Sequence, residues 1–262
     1  SVYYRLLTRP KSQRALRREF MEQLVTDTYA TFKARYGAPR IAKELRALEI
    51  PCSTNHIADI LRQQGLKARN GKAFNYGSHA LTMHNVADNL LWRDFRAKKP
   101  NEKWTTDITY IWVEDQWLYL ATVMDLYSRQ IVGWSLDSSM TEQLVTAALR
   151  MAFQRRDIEP GLIIHSDRGV QYRSQKYIDF MKRNGVKPSM SRKGNCWDNA
   201  PMESFFSRLK VELIYAEQYT SIEAAKSGIF EYIEIFYNRL RRHSAIGYVS
   251  PVEFEKMTAT AA

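Results

Sequence analysis

Cysteine is almost missing from this chain, which carries only Cys52 and Cys196 in 262 residues. That excludes the disulfide framework on which small secreted scaffolds depend. No apolar run approaches the length of about 18 residues that a membrane-spanning helix needs, and the N-terminal stretch lacks a signal-peptide pattern. No internal repeat is visible, which excludes a solenoid. These absences predict a reduced, soluble, intracellular protein. Acidic residues are scarce at one end: residues 1 to 100 hold 19 Lys+Arg against 8 Asp+Glu, whereas the remainder holds 20 of each. The whole formal charge of +11 therefore lies in the first hundred residues. A basic segment neutralises phosphates without regard to sequence, while a neutral remainder suits a part whose positive charge comes from bound metal ions. The length allows a sizeable core plus one smaller domain.

Within the neutral part, three acids stand out: Asp107 in WTTDITYI, Asp167 in HSDRGVQY and Glu203 in GNCWDNAPMESFF, the last two separated by 35 residues. Side chains with ordinary pKa values of about 4 are all ionised at neutral pH, so one pocket holds three of them only if cations neutralise the charge. Magnesium suits such a site, because it takes hard oxygen ligands and binds through carboxylates plus substrate phosphates. Two such ions roughly 4 Å apart stabilise the attacking and leaving oxygens of an in-line phosphoryl displacement.

Local patterning predicts where each acid lies. Lys103 to Val113 reads as a strand rich in Trp, Thr, Ile, Tyr and Val, followed by a turn at Asp115-Gln116 and a meander through Trp117–Asp125 and Gln130–Leu136. Thr141 to Arg155 has helical periodicity, and a short strand, Leu162 to His165, runs into Asp167. Sites in open α/β sheets gather beyond such strand ends. Glu203 falls in the first turn of a helix that Asp198 or Asn199 can cap, with Pro201 beside it and Met202, Phe206, Leu209 and Leu213 as its apolar stripe. Lys210 shares the face of Glu203. Asp125 reads as a turn stabiliser or an Arg129 partner, and His165 as a satisfied structural residue.

These stretches, together with YGAPRI at 36–41, DLYSRQIVGW at 125–134 and YNRLRRHSAIGYVSP at 237–251, resemble the catalytic subunit of DDE transposases of the insertion-sequence-three family, relatives of retroviral integrases. The resemblance implies an α/β fold: a ribonuclease-H-like mixed five-stranded sheet flanked by helices, preceded by a small helical helix-turn-helix domain. It implies that Asp107, Asp167 and Glu203 are catalytic and ligate two Mg2+ ions, with Mn2+ able to substitute. Metal-activated water then frees a 3′-hydroxyl at the transposon end, and that hydroxyl attacks a second phosphodiester. The implied partners are double-stranded DNA (transposon ends and target), further copies in a homo-oligomer on DNA, and an upstream-frame DNA-binding region or fusion partner. No membrane is involved, and the expected location is the bacterial cytoplasm at the nucleoid. Two other readings stay open: a nuclease of the same fold that hydrolyses without joining, and a catalytically inactive DNA-binding regulator derived from a transposase. Cys52 and His56 are too isolated to form the zinc site of retroviral integrases.

The expected organisation is a helix-turn-helix region over 1–65, a basic connector over 66–100 and the catalytic core with C-terminal helices over 101–262. Pro39–Leu48 and Thr54–Gln64 read as two short amphipathic helices around a turn at Pro51-Cys52-Ser53. A merely solvated helical domain fits that pattern equally well. The connector reads as turns and cations suited to lie along a DNA backbone, or as a solvated linker with one short helix at Asn85 to Arg96. Ser191 to Asn199 reads as a mobile loop in which Trp197 packs on the core or, as the second choice, stacks on an unpaired base. Candidate DNA contacts are Arg62, Lys67, Arg69, Arg168, Arg192, Lys193, Asn195, Lys210, Arg241 and Arg242.

Overall fold

The computed structural model describes residues 11–69, 86–192 and 196–260. The chain divides between Asn70 and Gly71 into two compact units.

Among the described residues the first unit holds three helices: α1 (Gln13–Thr31), α2 (Ala38–Ala47) and α3 (Thr54–Gln63). Ser12 and Ser53 cap α1 and α3 by accepting from the N–H groups of Ala15 and His56, and Pro39 sits in the first turn of α2. Met21 and Val25 of α1 join Ile41, Leu45, Ile57, Ile60 and Leu61 in a small buried core. Only two residues of the 19-residue α1 are buried, so its weak stripe gives little periodic signal. The α2 and α3 pair matches the expected helices, each a residue shorter at its end.

The second unit is built on a five-stranded sheet in the order β3-β2-β1-β4-β5. β1 (Lys103–Val113), β2 (Gln116–Asp125) and β3 (Ile131–Asp137) form an antiparallel meander, while β4 (Ile163–Ser166) and β5 (Lys187–Met190) run parallel to β1. α4 (Glu142–Arg155) and α5 (Gln175–Arg183) pack on the sheet through Leu144, Val145, Ala148, Leu149, Tyr177 and Met181. Gly133 lets α4 approach closely, since a Cβ there would meet the Ala148 carbonyl at 2.2 Å. α6 (Ala200–Glu212) carries Glu203 and buries Met202, Phe205, Phe206 and Leu209. It is followed by α7 (Ile222–Phe230), a π-helical continuation over Glu231–Leu240, and α8 (Pro251–Thr260). At the outer edge of the sheet, the Asn238 amide accepts from the Ile131 N–H and donates to the Ile131 carbonyl, both at 2.9 Å.

Three expectations need correction here. Residues 86–96 form no helix: Leu91 is buried, and Val86 and Ala87 pack against the core cluster, so this part of the expected connector belongs to the second unit. The end of the expected mobile loop is also ordered, because Cys196–Asn199 forms a helical turn in which Asp198 and Asn199 are buried. Trp197 does not pack on the core and is 67% exposed.

Candidate active site

Each of the three acids rises from a different element. Asp107 lies mid-way along β1, directly across from Thr122 of β2. Asp167 is the first residue beyond β4, and Glu203 occupies the first turn of α6, where the helix dipole favours a carboxylate. The Asp107 carboxylate accepts from the Ile108 N–H at 2.8 Å, and that of Asp167 accepts from the Gly169 N–H at 2.8 Å. A Cβ at Gly169 would sit 3.0 Å from the Asp167 carboxylate, a tight contact that would press on that side chain.

The electrostatics bring the three together. Burial, then the neighbouring Asp167 charge, and further the Glu203 charge push the Asp107 carboxyl well above the usual range. Asp167 keeps an exposed edge, yet crowding by protein costs its charged form solvation and raises its pKa. Burial also raises Glu203. Tyr172 is fully enclosed nearby, its hydroxyl 3.4 Å from that of Thr106, and it feels both Asp107 and Asp167.

Asn199 ties β1 to the start of α6. At the helix N-cap it makes no side-chain cap bond. Its amide oxygen instead accepts from the Thr105 hydroxyl, its nitrogen faces the Thr106 carbonyl at 3.5 Å, and the side chain also hydrogen-bonds Asp107. Lys210 is buried, with its ammonium 4.6 Å from the centre of the Tyr110 ring and within the electrostatic reach of Asp107.

Among the described residues no three His, Cys, Asp or Glu side chains already form a cage that could hold a metal ion. The donor set nevertheless fits divalent cations. Three carboxyls share one field with unfavourable mutual charge, and the buried hydroxyls of Thr109 and Thr122, on the face of the sheet that bears Asp107, have no hydrogen-bond partner.

The remaining expected residues separate into groups. Arg62 and Lys67 are exposed and Arg69 half-buried, all in the first unit, with Arg62 paired to Asp59. Arg168 donates to the Ser191 carbonyl at 2.6 Å and Arg242 to the Tyr248 carbonyl at 2.9 Å. Lys193 and Asn195 lie outside the described residues. Arg241 is a correction: it is 3% exposed and forms a forked ion pair with buried Glu212, at 2.9 and 2.7 Å, which leaves it a packing role instead of a DNA contact. His165 is held between the hydroxyls of Ser189 and Ser191 at 2.8 and 3.1 Å; burial lowers its pKa to about 4, which keeps the ring neutral. Asp125 stabilises its turn by accepting from the N–H groups of Tyr127 and Asn101. Sequence reasoning missed Asn199 as a link and Asp198 as a hub, because Asn199 acts through Thr105 and Thr106, and Asp198 joins nearby Arg192 to Asn89 and Arg93, about a hundred residues away.

Integrase core domain families match residues 97–196 and 203–258, and an HTH-like domain family matches residues 15–74. The fold is similar to that of the simian T-cell lymphotropic virus intasome in complex with PP2A regulatory subunit B56 gamma, with a TM-score of 0.51, 14% identity and coverage of 88% of this chain and 74% of that one. The sheet order, its flanking helices and these matches define a ribonuclease-H-like integrase core. Transposase InsF for insertion sequence IS3A of Escherichia coli (strain K12) is 46% identical over 241 residues, 91% of this chain and 83% of the relative. The transposase for insertion sequence element IS904 of Lactococcus lactis is 39% identical over 95% of this chain and 98% of its own length. The chain belongs to the insertion-sequence-three family of transposases.

Proposed function

We propose that this transposase cuts transposon DNA ends and joins them to target DNA at a site where Asp107, Asp167 and Glu203 hold two divalent ions, magnesium by preference and manganese as a substitute. The observation that carries the reading is the shared field of three carboxyls drawn from β1, the β4 end and α6, in which Asp107 feels both of the others. Bound divalent ions would supply Lewis-acid stabilisation of the attacking and leaving oxygens of a phosphodiester. The chain's own residues do the positioning. Backbone N–H groups of Ile108 and Gly169 orient two of the carboxylates. Asn199 fixes the distance between the β1 acid and the helix that carries the third. Lys210 offers a cation on the α6 face toward Asp107, matched to a phosphate backbone. The nucleophiles are water and then a 3′-hydroxyl, so no side chain becomes linked to DNA.

Binding is assigned to the helix-turn-helix region, 1–65, with Arg62 as a phosphate contact, to Lys67 and Arg69 at the start of the basic connector, and to Arg168, Lys193, Asn195 and Arg242 around the core. Within the proposed catalytic part, 101–262, the preceding residues 86–100 act as an extension of the core. The protein works as a homo-oligomer on double-stranded DNA, with an upstream-frame DNA-binding region as a further partner, in the bacterial cytoplasm at the nucleoid. Among the described residues no helix is long and apolar enough to cross a membrane.

The test is a magnesium-dependent assay on labelled duplex carrying a transposon end, run alongside a pre-cut end with a free 3′-hydroxyl. Wild type should cut the first and join the second, and Glu203→Gln should do neither while binding DNA nearly as well. Joining by Glu203→Gln at the wild-type rate overturns the assignment. Cutting without joining by wild type would identify a hydrolase.

A further inference from the structure

Before β1 the chain makes a tight turn in which the Asp94 N–H donates to the Leu91 carbonyl at 2.7 Å. Both central residues have positive φ, 46° at Trp92 and 65° at Arg93. Such a pair belongs to mirror-image turns, where glycine and asparagine are at ease and large side chains are strained. The turn is nonetheless firmly held. The Asn89 side chain accepts from the Leu91 and Trp92 N–H groups at 3.1 and 2.9 Å and donates to Asp198 at 3.0 Å, while the Leu90 N–H donates to the Ser189 hydroxyl at 2.8 Å. Leu91 anchors it in the core. The consequence is an indole held out into solvent, 69% exposed.

Two guanidinium groups flank that indole. Arg93 donates Nε to one Asp198 oxygen at 2.9 Å, and Arg192 grips both oxygens through Nε, Nη2 and its backbone N–H. Arg192 also lies over the Trp92 ring, 5.5 Å from its centre. Both arginine side chains remain partly exposed, at 45% and 42%, whereas the Asp198 side chain is sealed off. Both guanidinium groups thus converge on one buried carboxylate while keeping a face toward solvent. The hub also adjoins the catalytic acids in the chain, since the next residue, Asn199, binds the β1 strand at Asp107.

We infer that Trp92, Arg93 and Arg192 form a clamp for one unpaired nucleotide of a DNA strand, its base stacked on the indole and its phosphate on the arginines. Partly exposed guanidinium groups match a phosphate, and an aromatic face accepts any base. A base inside intact duplex has both faces covered, so the ligand is a frayed or extended end. A purely structural turn would be served better by Asn-Gly, which carries neither strain nor an exposed ring. The inference rests on the proposed cutting of DNA strands beside Asp107.

The experiment uses the full chain in EDTA, so that cleavage cannot contribute, and measures fluorescence anisotropy of two labelled duplexes: one blunt, one with a short unpaired extension. Wild type should prefer the extended duplex. Trp92→Ala should lose affinity for it by about tenfold, the scale of one stacked base, while leaving blunt-end binding unchanged, and Trp92→Phe should retain most of the preference. Trp92→Gly suits the left-handed backbone, so it should match or exceed the wild-type melting temperature and still lose the preference. Equal affinity of Trp92→Gly and wild type for the extended duplex overturns the clamp, as does an equal loss on both duplexes. Should wild type bind neither duplex, the DNA reading fails together with it, a result distinct from either of those.

Discussion

Arg192 presents Nε and Nη2 to opposite oxygens of Asp198, at 3.0 and 2.9 Å, in a two-pronged pair closed over a sealed carboxylate. The Arg192 guanidinium foremost, aided by its backbone N–H and by Arg93, holds the Asp198 carboxyl well below the usual range despite its burial. The stabilisation of such a depressed acid is present above the unfolded-state pKa of about 4 and lost as pH falls through the folded value. Asp198→Asn should therefore cost ~2 kcal/mol at pH 7. In urea titrations its gap from wild type should narrow below pH 4; a gap that is flat with pH would show that the charge is immaterial.

The acids proposed as catalytic are expected to trade stability for chemistry. Asp107 is raised by burial and by Asp167, so its ionised form is unfavourable near neutrality when no cation is present. Asp107→Asn should melt several degrees higher than wild type in EDTA, with cleavage abolished. Added magnesium should raise the wild-type melting temperature by mass action and leave the variant's almost unmoved. Equal magnesium shifts in the two proteins would remove Asp107 from the ligand set.

Asp125 gives a pH dependence of opposite sign to Asp198. Burial raises it to about 6, although the Asn101 and Tyr127 N–H groups favour the charge. Between about pH 4 and 6 the folded chain then holds a proton that the unfolded chain has released, so stability falls as pH rises through this window. The shift amounts to roughly 3 kcal/mol by pH 7. Denaturation midpoints at pH 4 and pH 7 should show Asp125→Asn gaining on wild type at the higher pH.

Arg241→Ala should cost about 3–5 kcal/mol, because it strands the buried Glu212 carboxylate, which the Tyr232 hydroxyl supports at 2.9 Å. At a temperature where the variant is still folded, its DNA affinity should equal that of wild type. A selective loss of affinity in a stable Arg241→Ala protein would restore the residue to the DNA contacts.

How legible each part was depends on the range of the interactions behind it. β1 runs from Lys103 to Val113 as its wealth of Trp, Thr, Ile, Tyr and Val predicts, and the buried stripe of α6 follows from apolar spacing alone. Those signals are local. β5 spans four residues, includes Pro188 and has its first two residues exposed, so neither period nor propensity marks it. Asp198 reads in sequence as a helix cap, yet its partners Asn89 and Arg93 lie 109 and 105 residues away. Arg241 looked like a surface cation because nothing near it in the chain announces Glu212. Pairings of that kind are decided by packing, and local pattern carries no trace of them.

Asn238 bonds to both polar groups of Ile131 on the outer border of β3, so at that point the sheet has no open hydrogen-bonding register to offer a stranger. Unguarded strand edges seed irreversible clumping wherever copies of a protein crowd together. One amide, borrowed from a helix far along the chain, works there as a stopper against self-templating.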